Sequence, residues 1–420
     1  MKENLLTGNL LKLTMKYGGP SILTMWIFSL YTIVDGIFIG KFLGSKSLAA
    51  VNIVMPYINF SFALGIMVAI GSSTMISIQL GANNYKLAKK IYSLSIQLFV
   101  ILGGLLSLGG IFFSKYIVVF LGANDLLLKD SSEYLFYLSF FTLFYLLSYG
   151  LECFVRIEGK QNYSLICILG GALMNILLDY ILIVEYNMGI KGAGIATGVA
   201  QLTTSVMLFL VLYYKGEKLK YKYTKLKRSI VINILYNGSS EFLTEITTGI
   251  VLLAFNIYIM KFIGNEGVSA FSIIGYISTL VTMTMIGFSQ GIQPIISFNY
   301  GAKNYKRVFN ILKLSLFIIL GLGILFYSLV NIFSHDLVVI FAEMGINILI
   351  SSYFTAIENA FMSCILSILR GLIFINLLLY VLPKIFLTKG IWMSSSINEF
   401  ITILFSIYLF NRSLYKEKNI

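Results

Sequence analysis

Two carboxylates interrupt stretches that are otherwise apolar. Asp35 stands in "TIVDGIFIG" and Asp179 in "MNILLDYILI". A carboxylate at the centre of a membrane span costs about 2.5–3.5 kcal/mol, so it is kept where something uses it. Asn175 precedes Asp179 by four residues, which puts both side chains on one helix face. Carboxylate and carboxamide oxygens suit a hard cation or a relayed proton. Low dielectric also favours the neutral form of a carboxyl in general, which makes proton binding near neutral pH workable. The competing reading is structural: buried carboxyls satisfied by hydroxyls and amides of neighbouring helices.

A second group repeats the spacing. Glu241 and Glu245 in "NGSSEFLTEITTG" are also four apart. The pair serves a C-lobe cation or substrate site, or is stabilised by the positive helix N-terminus, which Glu241, expected one turn in, favours. Glu245 lies deeper and is expected to serve a second cation site or a substrate site. Gln290, Gln293 and Asn299 in "GFSQGIQPIISFNYG" either line a cavity or hydrogen-bond adjacent helices. Glu152, in "LECFVRIEGK", is expected to snorkel to the surface beside Arg156.

Other chemistry finds little support. Cys153, Cys167 and Cys364 sit in apolar segments, without ligand spacing or pairing. His335 is the single histidine, too few for a multi-histidine metal site. "GFSQG" at 287–291 matches the G-x-S-x-G elbow of hydrolases, but it falls inside an apolar helical stretch. No enzymatic constellation is visible, and no cofactor is expected.

The elements that must position these residues follow from composition. Hydrophobic residues make up 58% of the 420, charged residues only 12%, and mean hydropathy is +0.88. Apolar runs of span length recur throughout, as in an all-α polytopic membrane protein embedded in a lipid bilayer. Spans are expected near 17–39, 50–79, 93–120, 132–155, 163–185 and 192–214. Six more follow near 238–260, 268–298, 313–341, 343–357, 361–386 and 390–411. The first sixteen residues are amphipathic, and either lie along the membrane surface or form a frayed helix start. The domain reading is an N-lobe at 1–214, a basic linker at 215–237 and a C-lobe at 238–420. The net charge of +13 comes from short loops such as "NNYKLAKK", "KGEKLKYKYTKLKR" and "AKNYKR". Positive-inside topology explains these, and nucleic-acid binding is not expected. Both termini are then cytoplasmic, with the chain in the cell membrane.

The chain is internally repeated. "GANNYK" at 81–86 returns as "GAKNYK" at 301–306, and "IGKFLG" at 39–44 as "IMKFIG" at 259–264, each 220 residues on. Six spans per unit is an even number, so the two units enter from the same side as a parallel repeat. Paired lobes of this kind can rock about a central cavity. The repeated "GA-NYK" reads as a helix end closed by its glycine. The stripe Gly36, Gly40, Gly44 reads as a close helix-packing surface. Val119 to Gly192 covers 73 residues but Val339 to Gly390 only 51, a shortfall of 22, about one span. A shortened helix 10 is therefore expected.

"YGGP" at 17–20, Asp35 in "VDGIFIGKFLG", "MNILLDYILI", "GIKGAGIATGVAQ" at 189–201 and "GFSQGIQPIISFNYGAKNYKR" together resemble the multidrug and toxic compound extrusion (MATE) transporters. The resemblance covers nearly the whole chain and looks most like the branch that includes the staphylococcal-type multidrug exporters. It implies two six-helix bundles related by a pseudo-twofold axis. It also implies a cation or proton site at Asp35, Asn175, Asp179 and Thr197, and a helix that can bend at Pro20. The activity implied is ion-coupled antiport, driven by protons or Na⁺ (the latter held at Asp35 and Asp179), exporting amphipathic organic cations by alternating access. Some of the chain's aromatic residues would wall the cavity through cation–π contact. A monomer is expected. One rival is a lipid-linked-precursor flippase of related fold, which needs a cationic cavity. Another is an inactive exporter or a non-transporting membrane sensor, which the short helix 10 would favour.

Overall fold

The computed structural model describes residues 2–333 and 340–418. It is helical throughout, with no strand among the described residues. In lipid, backbone N–H and C=O groups must be satisfied within the segment, and an apolar helix does this. The helices are α1 Lys2–Thr7, α2 Leu10–Phe38, α3 Gly44–Gly81, α4 Tyr85–Phe120, α5 Asp125–Ser139, α6 Thr142–Ile157, α7 Gln161–Asp179 and α8 Ile190–Lys215. They continue with α9 Arg228–Phe262, α10 Asn265–Gly301, α11 Tyr305–Phe333, α12 Ile340–Ala356, α13 Ala360–Ile368 and α14 Ile375–Lys418. Wider π-type turns extend three of them, at Ile39–Leu43, Tyr180–Glu185 and Leu369–Phe374.

Seven helical runs are long and apolar enough to cross a membrane, and α5 with α6 forms an eighth as a pair bent by 52°. Two of the seven, Leu10–Gly81 and Ala360–Arg412, are 72 and 53 residues long and hold two expected spans each. The second is broken at Leu387, whose φ of 51° and ψ of −133° leave the helix. With α10 and the short α12, this accounts for twelve segments among the described residues. The chain is a multi-pass all-α membrane protein.

It divides into two compact units, Leu23–Gly238 and Met1–Ile22 with Ser239–Ile420, called here the N-lobe and the C-lobe. The first 22 residues thus belong with the second half. Only 216–227 of the basic stretch is non-helical, because α9 begins at Arg228 rather than near 238. This linker is strapped to the N-lobe. The buried Glu158 carboxylate accepts from the backbone N–H of Glu217, Lys218 and Leu219 at 3.2, 2.9 and 2.6 Å. Gln97 Nε2 donates to the Thr224 carbonyl at 3.1 Å, and Lys222 N–H to Ser93 Oγ at 3.0 Å. Within the C-lobe, α1 is held in a comparable way. Arg307 donates to the carbonyls of Leu5 and Gly8 at 3.0 and 2.6 Å, and Asn299 Nδ2 to that of Leu5 at 3.3 Å.

Several expectations change. The "GA-NYK" corners turn at Asn83 (φ 61°) and Lys303 (φ 59°), not at their glycines. Asn84 and Asn304 then cap the next helices by accepting from Leu87 N–H and Arg307 N–H. The stripe Gly36, Gly40, Gly44 is not a packing surface. A side chain at Gly36 or Gly44 would meet nothing nearby and one at Gly40 only Leu48 at 3.6 Å, and Gly44 (φ 85°) is the turn residue that opens α3. Close approach falls at two other pairs. A methyl on Gly71 would strike the Ile234 carbonyl and Gly238 in the N-lobe. One on Gly291 would strike Tyr17, Gly18 and Ser21 in the C-lobe. These pairs are repeat mates, since 71 and 18 return as 291 and 238. Finally, α12 is 17 residues long, where the N-lobe has the bent pair α5 and α6. Among the described residues the shortfall falls where the N-lobe has α5. The lone His335 lies outside the described residues.

Candidate functional site

Three elements of the N-lobe converge on one polar cluster. Asp35 comes from the last turn of α2, Asn175 and Asp179 from the end of α7, and Thr197 from α8. Small residues bring α8 in: Gly194 and Gly198 lie so close to Tyr134, Tyr137 and Phe141 that side chains there would meet them. The Asp35 carboxyl adjoins that of Asp179 and the Thr197 hydroxyl. Tyr134 of α5, itself buried, adjoins Thr197 and faces both carboxyls. Asn175 and Asp179 are 0% exposed and Asp35 8%.

What distinguishes the cluster is what its atoms lack. Asp35 Oδ1, both Asp179 oxygens, both Asn175 amide atoms and Thr197 Oγ1 have no hydrogen-bond partner among the described residues. Each buried unsatisfied polar group costs about 1–3 kcal/mol, and charged groups cost more. Tyr134, which faces the carboxyls, also belongs to a hydrophobic core with Ile39, Val54, Leu135, Ile183 and Ala193. Five of the six orphan atoms are oxygens, the sixth being the Asn175 amide nitrogen. Two facing carboxylates repel unless a proton or a metal cation lies between them. The donor set therefore suits a hard cation or a proton.

One turn before Asp35, Tyr31 starts a second patch. Its hydroxyl accepts from Gln201 Nε2 at 3.1 Å, and Gln201 Oε1 accepts from Ser148 at 2.9 Å. Phe28, Tyr31, Phe62, Tyr145 and Tyr149 form a half-buried chain of aromatic contacts, with centroids 5.2–6.2 Å apart. Sequence reading missed these residues and Tyr134. The 31–35 and 145–149 spacings were the available signal.

The remaining residues scatter. Glu241 and Glu245 lie together, half-buried, on α9 of the C-lobe, with Glu241 near Cys364. Glu241 is not one turn into its helix, because α9 starts thirteen residues earlier; the helix-end reading loses its basis. Gln290 and Gln293 are buried on α10. Asn299 bonds to α1 and to its own helix at Ile295. Pro20 lies within α2, which runs on through it. Glu152 does not snorkel. It is buried with Arg156 at 3.6 Å, and the Arg156 guanidinium also donates to Cys153 Sγ. "GFSQG" lies inside the continuous helix α10.

Fold and site together define a multi-pass helical membrane protein with a buried polar cluster. The family model described as MatE matches residues 20–181 and 242–409, and the chain belongs to that family. It is 27% identical to the multidrug export protein MepA of Staphylococcus saprophyticus subsp. saprophyticus, over 96% of this chain and 95% of that one. Identity to MepA of Staphylococcus aureus (strain bovine RF122 / ET3-1) is 25%, covering 92% and 90%. Among solved structures, a MATE protein in complex with MaD3S superposes with a TM-score of 0.93 at 22% identity, over 99% of both chains. An outward-facing multidrug resistance MATE family transporter of the MOP superfamily matches equally well, with a TM-score of 0.93 at 21% identity over 99% and 98%.

Proposed function

We propose that this chain is an ion-coupled antiporter of the cell membrane that exports amphipathic organic cations. The observation that carries the reading is the cluster of six unpartnered buried polar atoms on Asp35, Asn175, Asp179 and Thr197. An arrangement this costly persists because something fills it in part of a working cycle. The cargo it fits is a proton or Na⁺. The family membership and the names of the relatives support export of drugs rather than uptake of a nutrient. The aromatic chain from Phe28 to Tyr149 offers π-faces to a flat cation one helical turn from Asp35.

Coupling then has a direct route. Tyr31 and Asp35 lie one turn apart on the same face of α2. An ion entering the Asp35–Asp179 cluster removes the repulsion between the carboxyls and lets α2 and α7 close together. That shift reaches Tyr31 and the aromatic patch, so ion and drug favour different states, as exchange requires. A flippase for anionic lipid precursors would need unpaired buried cations. Among the described residues Arg156 is buried and Arg370 half-buried, and each faces a glutamate. With both termini cytoplasmic, the basic corners and linker lie inside and the ion enters from outside.

The test is efflux of ethidium from cells making wild type, Asp35→Asn or Asp179→Asn at matched levels. Proton and Na⁺ gradients are collapsed separately. Loss in both variants and under one collapse supports the reading and names the ion. Variants that export like wild type would refute it.

A further inference from the structure

The C-lobe holds a second buried polar cluster, which neither the sequence motifs nor the proposed function uses. Arg370, in the π-type turn after α13, sets its Nε 2.8 and 3.1 Å from the two carboxylate oxygens of Glu399 on α14. Asn347 of α12 donates to the same carboxylate at 2.7 Å and to the Glu399 carbonyl at 3.0 Å. Ser406 closes the set by donating to Asn347 Oδ1 at 3.2 Å. The Glu399 side chain is 5% exposed and that of Arg370 22%. Carboxylate, carboxamide and hydroxyl are also the groups of the N-lobe cluster. There they lack partners; here a guanidinium completes them.

The repeat sets both charges at positions that are neutral in the other lobe. "ILGG" at 168–171 and "LLDY" at 177–180 return 200 residues on as "ILRG" at 368–371 and "LLLY" at 377–380. Arg370 therefore stands where the N-lobe has Gly170. Along α8 the offset is 198, from Gly192 to Gly390, which matches Glu399 with Gln201. A neutral glycine and glutamine in one lobe correspond to a cation and an anion in the other. Gln201 bonds to Ser148 of α6, as Glu399 bonds to Asn347 of α12.

We propose that Arg370 is a tethered cation. Its guanidinium permanently fills the Glu399–Asn347–Ser406 cluster, which would otherwise take up a proton or a metal cation. The C-lobe cluster then exchanges no ion during transport. Arg370 is a specificity-determining residue in this sense: it limits ion exchange to other sites. The assignment stands on C-lobe geometry and does not depend on the N-lobe reading.

The test is dicyclohexylcarbodiimide labelling of the purified full chain at neutral pH, read by peptide mass spectrometry. This reagent modifies carboxyls that carry a proton in apolar surroundings. Glu399 should give no adduct in the wild type or in Arg370→Lys. In Arg370→Met an adduct should appear at Glu399, at least about tenfold above the detection floor, since only the neutral Asn347 amide then remains beside the carboxyl. A Glu399 adduct in the wild type overturns the proposal, as does a monodisperse Arg370→Met chain without one. If Arg370→Met does not accumulate, the double variant Arg370→Met/Glu399→Met decides. Replacing a buried ion pair by apolar side chains is often neutral, so the double should melt within about 3 °C of wild type. A double variant that fails to fold overturns the assignment. Adducts at Asp35 and Asp179 in the same digest report separately on the N-lobe.

Discussion

The two lobes place opposite chemistry at matching positions. Under the repeat offsets, Asp35 corresponds to Phe255, Asn175 to Ile375 and Asp179 to Leu379. Those three C-lobe residues pack together with Ile259 and Ile391 in a hydrophobic core. Where the N-lobe holds unpartnered carboxyls, the C-lobe is filled with side-chain carbon. The wall differs too. The N-lobe cluster is faced by Tyr134 from α5, and no helix among the described residues of the C-lobe matches α5. Gly194, which admits α5, corresponds to Trp392, whose ring packs against Phe271 and joins that core. The facing helix, the carboxyls and the small residue that admits the helix occur together in the N-lobe, and among the described residues of the C-lobe none of the three is found.

The largest way to break this comparison is to force the N-lobe chemistry onto the C-lobe. Leu379→Asp puts an unpaired carboxyl among Phe255, Ile259 and Ile391. It should cost about 3–5 kcal/mol, seen as a lower thermal unfolding midpoint in detergent. The reverse swap, Asp179→Leu, should melt at or above wild type while losing export. Next, Asp35→Asn or Asp179→Asn should lower ethidium efflux about ten- to hundredfold, with 1.4 kcal/mol for each factor of ten. Conservative changes at Phe255 or Leu379 should leave efflux nearly intact.

The close glycine pairs sharpen the likeness instead. Gly71→Leu and Gly291→Leu drive a side chain into facing backbone. Each should destabilise by up to about 3 kcal/mol, and by similar amounts because the sites are repeat mates. Glu158→Ala removes the acceptor of three backbone N–H groups. It should cost about 2 kcal/mol and speed proteolysis between Glu217 and Thr224. The smallest effect is expected from Tyr31→Phe, which deletes one acceptor for Gln201. A loss of about 1 kcal/mol should appear as a several-fold weaker apparent drug affinity, with folding unchanged.

Much of this was legible from the residues. Apolar runs and the 220-residue repeat point to the paired helical halves, and the lone carboxyls point to the N-lobe cluster. The 22-residue shortfall locates the altered region. What stayed hidden depends on partners distant in the chain. Asn299 looks like a cavity amide until Leu5 is found against it. Glu152 looks like a surface acid until its helix is seen to bury it with Arg156. Arg370 and Glu399 are 29 residues apart, with no helical spacing to link them. Glycine spacing misled in the other direction: Gly36 and Gly44 are periodic but face nothing, whereas the close-packed Gly71 has no glycine one turn away.

The Gly18–Gly291 contact has a consequence for biosynthesis. The leading part of α2 belongs with the C-lobe, and its partner glycine is made 273 residues later. At about 5–20 residues per second, a ribosome needs roughly 15–55 s to cover that distance. For that interval the starting turns of α2 lack the neighbours that α10 provides around Gly291. Assembly of the second half must therefore reach back for a helix already inserted, and the insertion machinery or surrounding lipid has to shelter it until then.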